Sequence, residues 1–162
     1  PSTEEYGVTI AASLARYFVD KGRALGFVTY SPHRECIQAD RGNRQLTRIL
    51  EVLALAHSET DRTLHQMLAL EANYLARDTT AIIITASQDD RWVREAHRLI
   101  RRGVRVVCIL IDPISFGAER SQVVRLQNMA ETAGALVYTI RQDDDLTAVL
   151  SYRAFLSQAR VT

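Results

Sequence analysis

The sequence predicts an α/β protein built on an open, mostly parallel sheet in three layers with one antiparallel edge strand, and three observations carry that prediction. Thr80-Ala-Ile-Ile-Ile-Thr-Ala-Ser87 and Val104-Arg-Val-Val-Cys-Ile-Leu-Ile-Asp112 are β-branched apolar runs without polar alternation, as in parallel strands covered on both faces. Between them Trp92, Val93, Ala96, Leu99 and Ile100 fall on one helical face, and Gly103 stands where a left-handed C-cap belongs. Strand, helix and strand at this spacing make a βαβ unit with a right-handed crossover.

The remaining elements follow in order. Ser2-Thr-Glu-Glu5 has the form of a capping box, and Tyr6, Ile10, Leu14, Tyr17 and Phe18 recur at helical spacing until Gly22. Leu25 to Tyr30 is a strand, and the turn at Ser31-Pro-His-Arg34 leads into a second strand over Glu35 to Ala39. So short a link makes the pair an antiparallel hairpin, and Glu35 and Gln38 suit an edge that meets water.

Gly42-Asn43 opens a helix with Leu46, Ile49, Leu50 and Leu53 on one face, fading near His57. Ser58-Glu-Thr-Asp61 starts another, in which Leu64, Met67, Leu68, Ala72 and Leu75 point inward as far as Ala76. After the βαβ core, Pro113 to Gly117 is a loop, and Glu119 to Ala133 is a helix with Val123, Leu126, Met129 and Ala130 inward. Ala135 to Ile140 is a strand, and Asp143-Asp-Asp145 caps a final helix carrying Leu146, Val149, Leu150 and Phe155. In a doubly wound sheet each helix is delivered by a strand, yet only a few residues precede the first helix. Either the two halves of the sheet pair directly, or a central strand comes from another copy or from further sequence.

At 162 residues, 47% apolar and 24% charged, the chain reads as one soluble domain needing neither disulfide nor metal to stand. It opens at Pro1 without Met, which reads as an excised or processed piece of a longer protein. No apolar run approaches the roughly 20 residues that span a bilayer. The net charge of +1 argues against a general polyanion binder. Lys21 is the sole lysine, so phosphate-loop lysines are excluded, and Cys36 and Cys108, each within a predicted strand, read as buried thiols.

Ligands of open α/β sheets gather at the carboxyl ends of strands. Here that rim holds Thr29, Thr85, Ser87, Asp89, Asp90 and Asp112, a candidate binding crevice whose competing explanation is helix capping and turn formation. Arg91, Arg94, Arg98, Arg101 and Arg102 lie three to four apart on one helix, a candidate docking ridge interrupted by Glu95 and otherwise a solvated face. His33, His57, His65 and His97 lack ligand spacing, and neither a phosphate-binding loop nor a nucleophile elbow is present. No catalytic residue, cofactor or metal is therefore assigned.

The wording of Glu4-Glu-Tyr6, Ala11-Ala-Ser-Leu-Ala-Arg-Tyr-Phe18, Gly26-Phe-Val-Thr-Tyr30, Arg41-Gly-Asn-Arg-Gln-Leu46, Ile49-Leu-Glu-Val-Leu53 and Gly103-Val-Arg-Val106 resembles the C-terminal region of the bacterial domain of unknown function 58 family. The element order resembles a von Willebrand factor type A domain entered at its first helix. The resemblance implies a metal-facing Asp-x-Ser-x-Ser loop that this chain lacks, and a middle-loop Thr matched by Thr63 or Thr60. A Thr-Asp-Gly is replaced here by Thr85-Ala86-Ser87, so the metal site is degenerate. It further implies a non-catalytic interaction module, membrane-anchored upstream and facing the cytoplasm, working with a MoxR-type AAA+ ATPase in assembly or metal insertion. The alternative is a small-molecule or nucleotide-binding α/β domain, enzymatic or not.

Overall fold

The structure, a computed structural model, describes residues 2–57, 59–60 and 62–150, with residue 150 described by its backbone alone. Two compact units divide the chain, residues 1–63 and 64–162.

In the first unit, α1 (Thr3–Asp20) starts on the expected capping box. Ser2 Oγ accepts from Glu5 N–H at 3.1 Å, and Glu5 Oε2 accepts from Ser2 N–H at 3.0 Å. β1 (Leu25–Tyr30) and β2 (Arg34–Asp40) form an antiparallel hairpin whose register runs from Tyr30 opposite Arg34 to Leu25 opposite Asp40, with a bulge between Leu25 and Phe27. α2 (Asn43–Ala54) closes over it, and Ala15, Val19, Ile37, Leu46, Ile49 and Leu53 make the core. Gln45, 2% exposed, ties helix to hairpin: its Nε2 donates to Leu25 O at 2.6 Å and to Gln38 O at 2.7 Å. Cys36, expected buried, is exposed, because among the described residues β2 has a strand neighbour on one side only and shows every side chain but Ile37 to water.

In the second unit α3 (Leu64–Glu71), β3 (Thr80–Thr85), α4 (Arg91–Arg101), β4 (Arg105–Ile111), α5 (Val123–Thr132), β5 (Leu136–Ile140) and α6 (Leu146–Leu150) follow one another. The three strands are parallel in the order β3-β4-β5, so βαβ pairing is as expected, with Ile83 beside Cys108 and Cys108 beside Val137. Val106, Cys108 and Leu110 share a core with Trp92, Val93, Ala96 and Leu99 of α4 and Leu126 and Ala130 of α5. Both crossovers therefore lie on one face and have one hand. Val107, Ile109 and Ile111, on the opposite face of β4, are buried as well. Gly103 is the required glycine: its φ is +91°, and a Cβ there would lie 2.7 Å from Arg77 Cγ.

Several expectations need correction. The five strands form two sheets rather than one: among the described residues β1 pairs only with β2, and β3 only with β4. α3 begins at Leu64 rather than at the Ser58–Asp61 start, of which Ser58 and Asp61 lie outside the described residues, as does Phe155. Pro113–Phe116 is a 3-10 turn rather than an irregular loop, opened by Asp112, whose Oδ1 accepts from Ile114 N–H at 3.2 Å. α5 starts at Val123 rather than Glu119, because Ser121 Oγ accepts from Val123 N–H at 3.0 Å and Gln88 Oε1 accepts from Gln122 N–H.

Candidate functional site

The parallel sheet brings five of the six rim candidates to one end. Thr85 closes β3, Ser87, Asp89 and Asp90 lie in the link to α4, and Asp112 follows β4. Thr29, in β1, and Thr63 belong to the first unit.

Thr85, Ser87 and Asp89 each hold their own loop. Thr85 Oγ1 accepts from Ser87 N–H at 3.0 Å, Ser87 Oγ from Asp89 N–H at 3.3 Å, and Asp89 Oδ1 from Arg91 N–H at 3.0 Å. These i to i+2 bonds are a chain of Asx- and hydroxyl-type turns that walks the backbone from β3 into α4. Arg91 then clamps Asp89 with Nε at 2.8 Å from Oδ2 and with a close contact from Nη2. That side-chain bond, followed by the one from Arg91 N–H, holds the Asp89 carboxyl down at about 2, and the same contact raises the Arg91 guanidinium.

Partners beyond the expected set complete the rim. Asp90 pairs with Arg125 at 3.0 Å, and Asp112 Oδ2 lies 3.7 Å from Arg141 Nε. Ser115 Oγ donates to Asp112 O and accepts from Gln142 N–H, both at 2.8 Å. Gln88, Ser115, Arg125 and Arg141 went unnoticed in the sequence because their partners lie 27 to 35 positions away, beyond any local spacing signal.

What this arrangement can do chemically is limited. Its oxygens face backbone N–H groups or guanidiniums rather than converging on a common point, and a hard cation wants several convergent oxygens. Among the described residues no three His, Cys, Asp or Glu side chains are grouped as ligands. Cys108 is buried, and that burial pushes its thiol up to about 12, which favours the protonated form over the reactive thiolate. Beside the rim, a groove of about 580 Å³ runs along α5, lined by Ser121, Gln122, Val124, Arg125, Asn128 and Met129.

The arginine ridge is real as a surface but divided in its use. Arg91 is held by Asp89, Arg98 Nη1 by Glu95 Oε1 at 3.0 Å, and Arg102 Nη1 donates to Ala72 O at 2.9 Å. Arg94 and Arg101 are exposed, and neither has a hydrogen-bond or ion-pair partner among the described residues. They are seven positions apart, about 10 Å along the helix axis. Among the described residues no helix is long and apolar enough to cross a membrane. Compared with known protein families, curated proteins and solved structures, the chain gives no match.

Proposed function

We propose that this chain is a non-catalytic protein-interaction module of a bacterial von Willebrand A-like protein, docking an acidic partner surface through the α4 arginines. The observation that carries the reading is the state of Arg94 and Arg101, two exposed guanidiniums on one helix without an acidic partner among the described residues. Arginine forks of this kind bind carboxylates bidentately and are frequent anchors of interfaces. The rim supports the same conclusion from the other side, because its polar groups are already engaged in shaping loops.

The family resemblance supplies the partner, a MoxR-type AAA+ ATPase, and a role in assembly or metal insertion with the module on the cytoplasmic side of a membrane-anchored protein. Calorimetric titration of the chain against that ATPase tests both parts. Arg94→Glu combined with Arg101→Glu should weaken binding by at least about tenfold, the size expected when interface arginines are removed. Wild-type affinity in the double variant would refute the docking face, and no binding by the wild type would refute the partner.

The groove along α5 favours a second reading, a small-molecule or nucleotide-binding domain, enzymatic or not, since its volume falls in the range of ligand clefts. Thermal stabilisation by a nucleotide in the absence of divalent metal would support this alternative.

A further inference from the structure

β3 has the composition of an inner strand and the position of an outer one. Arg105 N–H donates to Thr79 O at 2.9 Å, and the register pairs Thr80 with Arg105 through Thr85 with Leu110. In a parallel ladder with that phase, residues 79, 81, 83 and 85 address β4, whereas Thr80, Ile82 and Ile84 turn their N–H and C=O groups away from it. Those three donors and three acceptors have no partner among the described residues. Proteins ordinarily guard such an edge with charge, proline or a bulge. β2 does so with Arg34, Glu35 and Asp40, but Thr80-Ala-Ile-Ile-Ile-Thr85 carries none of these guards.

We propose that the outer edge of β3 pairs with the same edge of a second copy of this chain, antiparallel about a two-fold axis at Ile82. The row is its own complement. With Ile82 opposite Ile82 of the second copy, Thr80 falls opposite Ile84 and Ile84 opposite Thr80, and each pair exchanges two N–H···O bonds. Six bonds close with no group left over. The run is uncharged, so doubling it sets no like charges against each other, and Ile82 meets Ile82 and Ala81 meets Ile83 as apolar cross-strand pairs. A two-fold contact also closes on itself, unlike a head-to-tail one that would leave a fresh edge at each end. β5 is the poorer acceptor: Asp112 N–H donates to Ile140 O, so only Val137 and Thr139 face outward there.

Sedimentation of the whole chain, with amide exchange read in the same buffer, tests the pairing. Ile82→Pro removes one outward N–H, which β4 does not use, and Ile82→Lys places like charges at the axis. The wild type is expected at twice the chain mass with slow exchange at Ile82 and Ile84, and the variants at the chain mass with unchanged circular dichroism and fast exchange at Ile84. Should the proline variant unfold, the lysine variant carries the test. A wild type that stays at the chain mass at every concentration overturns the pairing, whether its edge amides exchange quickly or slowly. So does a dimer that the folded lysine variant leaves intact.

Discussion

β2 and β4 are both seven residues long, and they meet water in opposite ways. β2 exposes every side chain except Ile37, whereas β4 hides every side chain except the half-buried Arg105. The hairpin can afford this because antiparallel strands satisfy each other locally and need only one covered face. A parallel strand is reached through a crossover, so helices arrive with it and the strand is buried on both sides. The consequence is visible in the clusters among the described residues: six buried side chains pack together in the first unit, and fourteen in the second. Apolar packing dominates one unit, while the other leans on a polar tie, Gln45, to hold helix to hairpin.

Truncating the larger core should cost most. Trp92 is 1% exposed, and Trp92→Ala should destabilise the protein by about 3–5 kcal/mol in urea titration; a loss below about 1 kcal/mol would mean that the site collapses or was never tightly packed. Gln45→Ala probes the polar tie. It leaves Leu25 O and Gln38 O without their donor and should cost about 1–3 kcal/mol, whereas a neutral result would reduce the tie to decoration.

A smaller effect sharpens the contrast at the rim. Asp89 titrates lower in the folded protein, at about 2, than its ordinary value of 3.8. The stability it lends is therefore fully present above the ordinary value and is lost as pH falls through about 2. In carboxyl NMR titrations Arg91→Ala should return Asp89 toward its ordinary value, since Arg91 supplies the largest causes of the shift. An unmoved midpoint would assign the shift to something else.

Much of this was readable from residues alone, and the reasons differ by element. The capping box and the Gly22 stop bracket α1, and β1 runs over Leu25–Tyr30 as its β-branched and aromatic content suggests. Such signals are local, so local reasoning finds them. The start of α5 depends on Gln88, which reaches it from 34 positions away, and no spacing rule anticipates that contact. Likewise, whether β1 meets β3 is a question of long-range pairing that neither run encodes by itself. For the rim, Ser87 and Asp89 were recognisable both as candidate ligands and as turn formers. Only the directions of their bonds, toward Asp89 N–H and Arg91, separate the two.

The claim on which the account of the rim turns is that the strand-end carboxylates are committed to their own loops and to arginine rather than to a cation. Paramagnetic broadening by Mn²⁺, followed at the backbone amides of residues 85–91 and 112–115, measures this directly. The account predicts no broadening there beyond that of exposed acidic positions such as Glu119 and Asp143. Selective, saturable broadening centred on Ser87, Asp89 and Asp112 would contradict it.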